Sequence, residues 1–82
     1  MSGGPIKRSL TLRGHRTSVS LEDPFWQAFR HIADAQDKPL NQLAAEIDTR
    51  RDPEVEGLAS AIRVYVLRWY QERENPHEGD LD

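Results

Sequence analysis

The chain has 82 residues, a net charge of −3 and no cysteine. That length bounds it to one domain with a marginal core, and the missing thiols exclude a disulfide framework and a thiolate metal site. No apolar run approaches the roughly 20 residues of a membrane span, and the N-terminus lacks the apolar stretch of a secretory signal, so a cytoplasmic protein is expected. The charge is uneven. Residues 1–21 carry Lys7, Arg8, Arg13 and Arg16 and no acid, whereas residues 22–82 carry seven basic and fourteen acidic side chains. A basic arm on an acidic body follows.

Residues 1–6, MSGGPI, have the composition of a disordered tail. Lys7 to Leu12 alternates polar and apolar and reads as a short extra strand or as an arm, punctuated by Gly14. From Arg16 the alternation is cleaner. Arg16, Ser18 and Ser20 fall on one side, and Thr17, Val19 and Leu21 on the other, the period of a half-buried β-strand.

Asp23-Pro24 then starts a helix over 24–37, with Asp23 as N-cap and Pro24 at the first helical position, where a missing amide costs nothing. Phe25, Phe29 and Ile32 form its apolar stripe, and Pro39 ends it. A second helix over 39–48 carries Leu40, Leu43, Ala44 and Ile47 at i, i+3, i+4, i+7. Residues 49–57, TRRDPEVEG, read as a polar loop, and a third helix follows over 58–74. Its centre is apolar nearly all round, with Ile62, Val64, Tyr65, Val66, Leu67, Trp69 and Tyr70. Residues 75–82, NPHEGDLD, read as an acidic disordered tail.

Two features predict a homodimer. A lone strand among helices cannot satisfy its own backbone hydrogen bonds, and the same strand of a second copy is the cheapest partner. A helix apolar nearly all round must be buried nearly all round, which one chain of this size does not supply. The expected dimer core is Thr17, Val19, Leu21, Ile62, Val66 and Trp69.

No catalytic constellation stands out. His15, His31 and His77 are far apart with no i,i+4 pair for a metal, and neither a Gly-rich phosphate loop nor a serine elbow occurs. The chain reads as a non-enzyme without metal or cofactor. Trp26, Trp69 and Tyr70 sit at helical spacings among other apolar residues and read as packing rather than as a stacking platform for bases.

The order strand, helix, helix, with RTSVSLEDPFW and then DKPLNQLAAEI, resembles the ribbon-helix-helix superfamily of DNA-binding proteins over roughly residues 7–70. It is similar to a short bacterial branch of unassigned regulators with GHRTSVSLE, FW, LNQL and EID in this order. The resemblance implies a mainly α fold with one β-ribbon, in which an intertwined homodimer contributes one strand from each subunit. It implies that the ribbon enters the major groove of double-stranded DNA, with Arg16, Ser18 and Ser20 outward as base contacts. It implies a phosphate grip at the start of the second helix, where Pro39 has no amide and the grip rests on Leu40, Asn41 and Lys38. Lys7, Arg8 and Arg13 are the expected phosphate clamps of the arm. His15 either joins them or caps the turn at Gly14, and the turn is favoured. The function so implied is a sequence-specific transcriptional regulator, a repressor. The alternative is a dimer of the same fold serving as a protein–protein or antitoxin-like adaptor through its acidic body.

Overall fold

The computed structural model describes residues 3–74. Two strands precede three helices: β1 (Ile6–Leu12), β2 (His15–Leu21), α1 (Asp23–Ala35), α2 (Leu40–Arg50) and α3 (Leu58–Glu74). The acidic tail expected over 75–82 lies outside the described residues.

The expectation of a lone strand is corrected. β2 pairs antiparallel with β1 of the same chain, from Ile6 opposite Leu21 to Leu12 opposite His15. The arm is therefore a strand, and Ile6, assigned above to the tail, is its first residue. What closes the hairpin is a two-residue turn in which Arg13 (φ 52°) and Gly14 (φ 85°) both take the left-handed conformation. Turns with two positive φ angles match the right-handed twist of the strands they join. Gly14 adopts that conformation at no steric cost. Arg13 does not, and three contacts to α2 hold it there: Nη1 donates to the Ala45 carbonyl (3.2 Å) and Thr49 Oγ1 (2.9 Å), and Nη2 to Asp48 Oδ2 (2.8 Å).

α1 begins one residue before the expected start. Its N-cap is Glu22, Asp23 is the first helical residue, and Pro24 follows. The Asp23 carboxylate is thereby free to receive Arg8 Nη2 at 2.9 Å. The helix ends at Ala35, short of the expected 37, because Asp37 turns left-handed (φ 57°). The Asp37 amide donates to the Asp34 carbonyl and the Lys38 amide to the Ala33 carbonyl. This paired closure satisfies two of the carbonyls that a helix end leaves open. Pro39 caps α2, which runs on to Arg50 rather than stopping at 48. Arg51 then pins the loop, donating from Nε to Asp48 Oδ1 (2.7 Å) and from Nη1 to the Glu56 carbonyl (2.9 Å).

The inner face of the hairpin, Leu10, Leu12, Val19 and Leu21, packs with Phe29, Ile32 and Ala33 of α1, Leu43, Ala44 and Ile47 of α2, and Ala61, Ile62 and Val66 of α3. These side chains make one buried core. Val19, Leu21, Ile62 and Val66, expected at an interface between copies, are thus buried by the chain itself. Thr17 shares their face, opposite Leu10, yet it is exposed. It lines an open hollow with Asp48, Arg51 and Leu58. Trp69 is half-buried, with its ring edge-on to Tyr70 at 4.9 Å and the Arg73 guanidinium over it at 4.0 Å. α3 is covered on one side only. Val64 is 41% and Leu67 54% exposed, so burial all round, expected from the composition, is corrected.

Candidate nucleic-acid interface

Alternation along two paired strands sorts the hairpin into two faces. The outer face holds three cross-strand pairs: Lys7 opposite Ser20, Ser9 opposite Ser18, and Thr11 opposite Arg16. All six side chains are polar and exposed. Four hydroxyls occupy the face, with a cation at each of two diagonal corners. Neither Lys7 nor Arg16 takes part in an ion pair among the described residues. The expected base contacts, Arg16, Ser18 and Ser20, are therefore brought together on one surface. Ser9 and Thr11 share it and were missed from the sequence. Their signal was available in the alternation Lys7, Ser9, Thr11 against Arg8, Leu10, Leu12, once the arm is taken as a strand.

The other expected phosphate clamps behave differently. Arg8 lies on the inner side, opposite Val19. Its guanidinium bonds Asp23 and sits 5.1 Å over the Trp26 ring. Arg13 is spent on α2, as described above. Lys38 Nζ donates to Glu46 Oε1 at 2.7 Å. In all three a nearby carboxylate pairs with the cation: Asp23 with Arg8, Asp48 with Arg13 and Glu46 with Lys38. The Lys38 ammonium, with help from Gln42, holds the Glu46 carboxyl below its ordinary pKa. The Arg51 guanidinium, seconded by Arg13, does the same for Asp48 against the opposing effect of burial. Arg63 lowers Glu22, donating from Nε to Glu22 Oε1 at 2.9 Å.

The start of α2 flanks the hairpin. Asn41 Oδ1 accepts the Thr11 backbone amide at 3.1 Å, tying the first turn of α2 to the outer edge of β1. The amides of Gln42 and Leu43 are already bonded to the Pro39 carbonyl. Those of Leu40 and Asn41 belong to the first turn, whose donors have no partner within a helix.

Backbone groups along β2 complete the surface. The Thr11 amide is turned outward to Asn41, and the Ser20 carbonyl outward to Arg63 Nη2 at 3.2 Å. In an antiparallel ladder, inward- and outward-turned residues alternate. Arg16 and Ser18 therefore present amide and carbonyl groups along the far edge of β2, where no strand among the described residues covers them.

A β-ribbon with a polar outer face, seated on a short helical layer, defines a ribbon-helix-helix protein. The sequence profile of the ribbon-helix-helix domain family matches residues 5–70, and the chain belongs to that family. No curated protein and no solved structure matches it. Members of the family are generally DNA-binding regulators that act as dimers. Among the described residues, no helix is long and apolar enough to cross a membrane, and no group of three His, Asp or Glu side chains is placed to hold a metal ion.

Proposed function

We propose that this protein is a sequence-specific DNA-binding transcriptional regulator, a repressor, acting as a homodimer. The observation that carries the reading is the outer face of the hairpin, six polar side chains of which Lys7 and Arg16 have no ion pair among the described residues. Arg16 has the geometry for bidentate bonding to guanine O6 and N7, and Ser18 and Ser20 for single hydrogen bonds to base edges.

The length of that face argues for two copies. From Lys7 to Thr11 a strand advances roughly 13 Å, or about four base pairs of duplex. One hairpin reads too little to single out a site, whereas a two-fold dimer doubles the readout. The uncovered edge of β2 offers the means. Antiparallel pairing of two β2 strands satisfies the outward groups of Arg16 and Ser18, and gives a central ribbon about 10 Å across, which fits a major groove about 12 Å wide. The two β1 strands then flank the groove. Lys7 and the first-turn amides of Leu40 and Asn41 are left beside the phosphates.

Mobility shift on genomic fragments enriched by the protein, at low and at physiological salt, tests the reading. Specific affinity that falls steeply with salt is expected. Absence of binding at any salt overturns it in favour of a protein adaptor, the reading that the net charge of −3 favours. Sedimentation showing a monomer at micromolar concentration and on DNA overturns the dimer.

A further inference from the structure

A second surface lies apart from the hairpin's outer face. The last turn of α2 and the middle of α3 enclose an open cleft of about 210 Å³. Its floor is apolar, made by Ile47, Ala61 and Val64 together with the Tyr65 ring. Ile47 and Ala61 belong to the buried core, while Val64 is 41% exposed, and Leu67 one turn further along α3 is 54% exposed. Arg50 and Arg68 stand in the lining, and neither takes part in an ion pair among the described residues. Arg51 reaches the same cleft with part of its guanidinium already committed to Asp48 and the Glu56 carbonyl. Glu56 is the one acid in the lining among the described residues. On a chain that is acidic overall, this is a cationic site with an apolar floor.

We propose that the α2–α3 cleft is a docking site for an acidic segment of another protein, one that inserts an aliphatic side chain onto the Val64 floor and sets carboxylates against Arg50 and Arg68. Charge complementarity selects that occupant. The desolvated centre of such a contact is apolar, and the rim charges steer and orient the partner. A nucleic-acid phosphate would pair with the two arginines but leave the floor uncovered. A neutral apolar segment would cover the floor and leave two cations unmatched. A single strand or helix of Glu and Asp broken by leucines satisfies both demands.

The test uses the full chain, labelled with nitrogen-15, and a synthetic peptide of Glu and Asp interrupted by leucines, beside the same peptide with each Leu replaced by Ser. The expected result is amide shifts centred on Ile47, Ala61, Val64 and Arg68 with the leucine peptide. The serine peptide should bind more weakly. Arg50→Glu with Arg68→Glu should weaken the leucine peptide roughly tenfold or more, while circular dichroism and affinity for DNA stay as in the parent. No shift, shifts centred on Arg16 and Ser18, or equal binding of the two peptides overturns the proposal. So does a charge-reversed protein that keeps the peptide and loses DNA, since Arg50 and Arg68 would then be phosphate contacts. Because the readout is peptide binding, a failure of the DNA reading leaves it intact.

Discussion

The inner face of the hairpin buries Leu10, Leu12, Val19 and Leu21 against three helices, and the outer face, one residue out of phase, holds Lys7, Ser9, Thr11, Arg16, Ser18 and Ser20 in solvent. The cations divide along the same line. Arg8, on the inner side, and Arg13, in the turn, are tied to Asp23 and to Asp48 with Thr49. Lys7 and Arg16, on the outer face, have no such partner among the described residues. The basic N-terminal segment is therefore not one electrostatic unit. Half of it is bound to carboxylates of the helices, and half stands in solvent without an ion pair among the described residues.

The largest effect expected from breaking this contrast is that of Val19→Asp. It places a carboxylate in the packed inner face with no partner, at a cost of several kcal/mol, which is most of the stability of a small domain. Circular dichroism should show an unfolded chain at room temperature. A cooperative melt near that of the parent would mean that the inner face is not a core. Leu10→Ala is milder. Losing a side chain that is 2% exposed should cost about 2–5 kcal/mol by denaturant titration. Ser9→Ala next to it should stay within about 0.5 kcal/mol.

The two arginines closest in sequence sharpen the comparison. Arg16→Ala should leave the melting temperature unchanged and cost about 1–3 kcal/mol of specific DNA affinity. Arg13→Ala should destabilise the fold by roughly 1 kcal/mol, a modest figure because the side chain is half exposed. It should alter DNA binding only as far as the hairpin loosens. Equal effects of the two on affinity, with equal melting temperatures, would erase the distinction between structural and binding cations.

The smallest effect is in pH. Glu22, Glu46 and Asp48 have carboxyls held below their ordinary values by Arg63, Lys38 and Arg51. A lowered pKa in the folded state means stability that is present above the ordinary carboxylate value. It is lost as pH falls through the lowered one. Melting temperature should drop through the acid range, and Asp48→Asn should make that limb shallower. An identical acid limb in the variant would remove the Arg51–Asp48–Arg13 cluster from the fold's stabilising contacts.

Much of this is legible in the sequence. Alternation from Arg16 to Leu21 sorts the outward from the inward side chains because a strand has a period of two wherever it is placed. The stripe of Phe29 and Ile32 and that of Leu43 and Ile47 mark the buried sides of α1 and α2 for the same kind of reason, a period of 3.6. Pro39 marks the break between those helices, and the span of α3 follows its apolar centre. These are properties of short stretches of chain, and local geometry determines them.

What only the tertiary structure decided was who partners whom. β2 takes β1 as its neighbour through a turn that puts Arg13 in a left-handed conformation, and that choice depends on Asp48 and Thr49, more than thirty residues away. Whether Arg8, Arg13 and Lys38 remain free depends on carboxylates that α1 and α2 bring beside them. Val64 and Leu67 stay exposed because α1 and α2 cover one side of α3 and nothing in the described chain covers the other. A sequence carries the charges and the apolar side chains, but their pairing is a long-range event. It is decided by which elements pack together, and no local period records it.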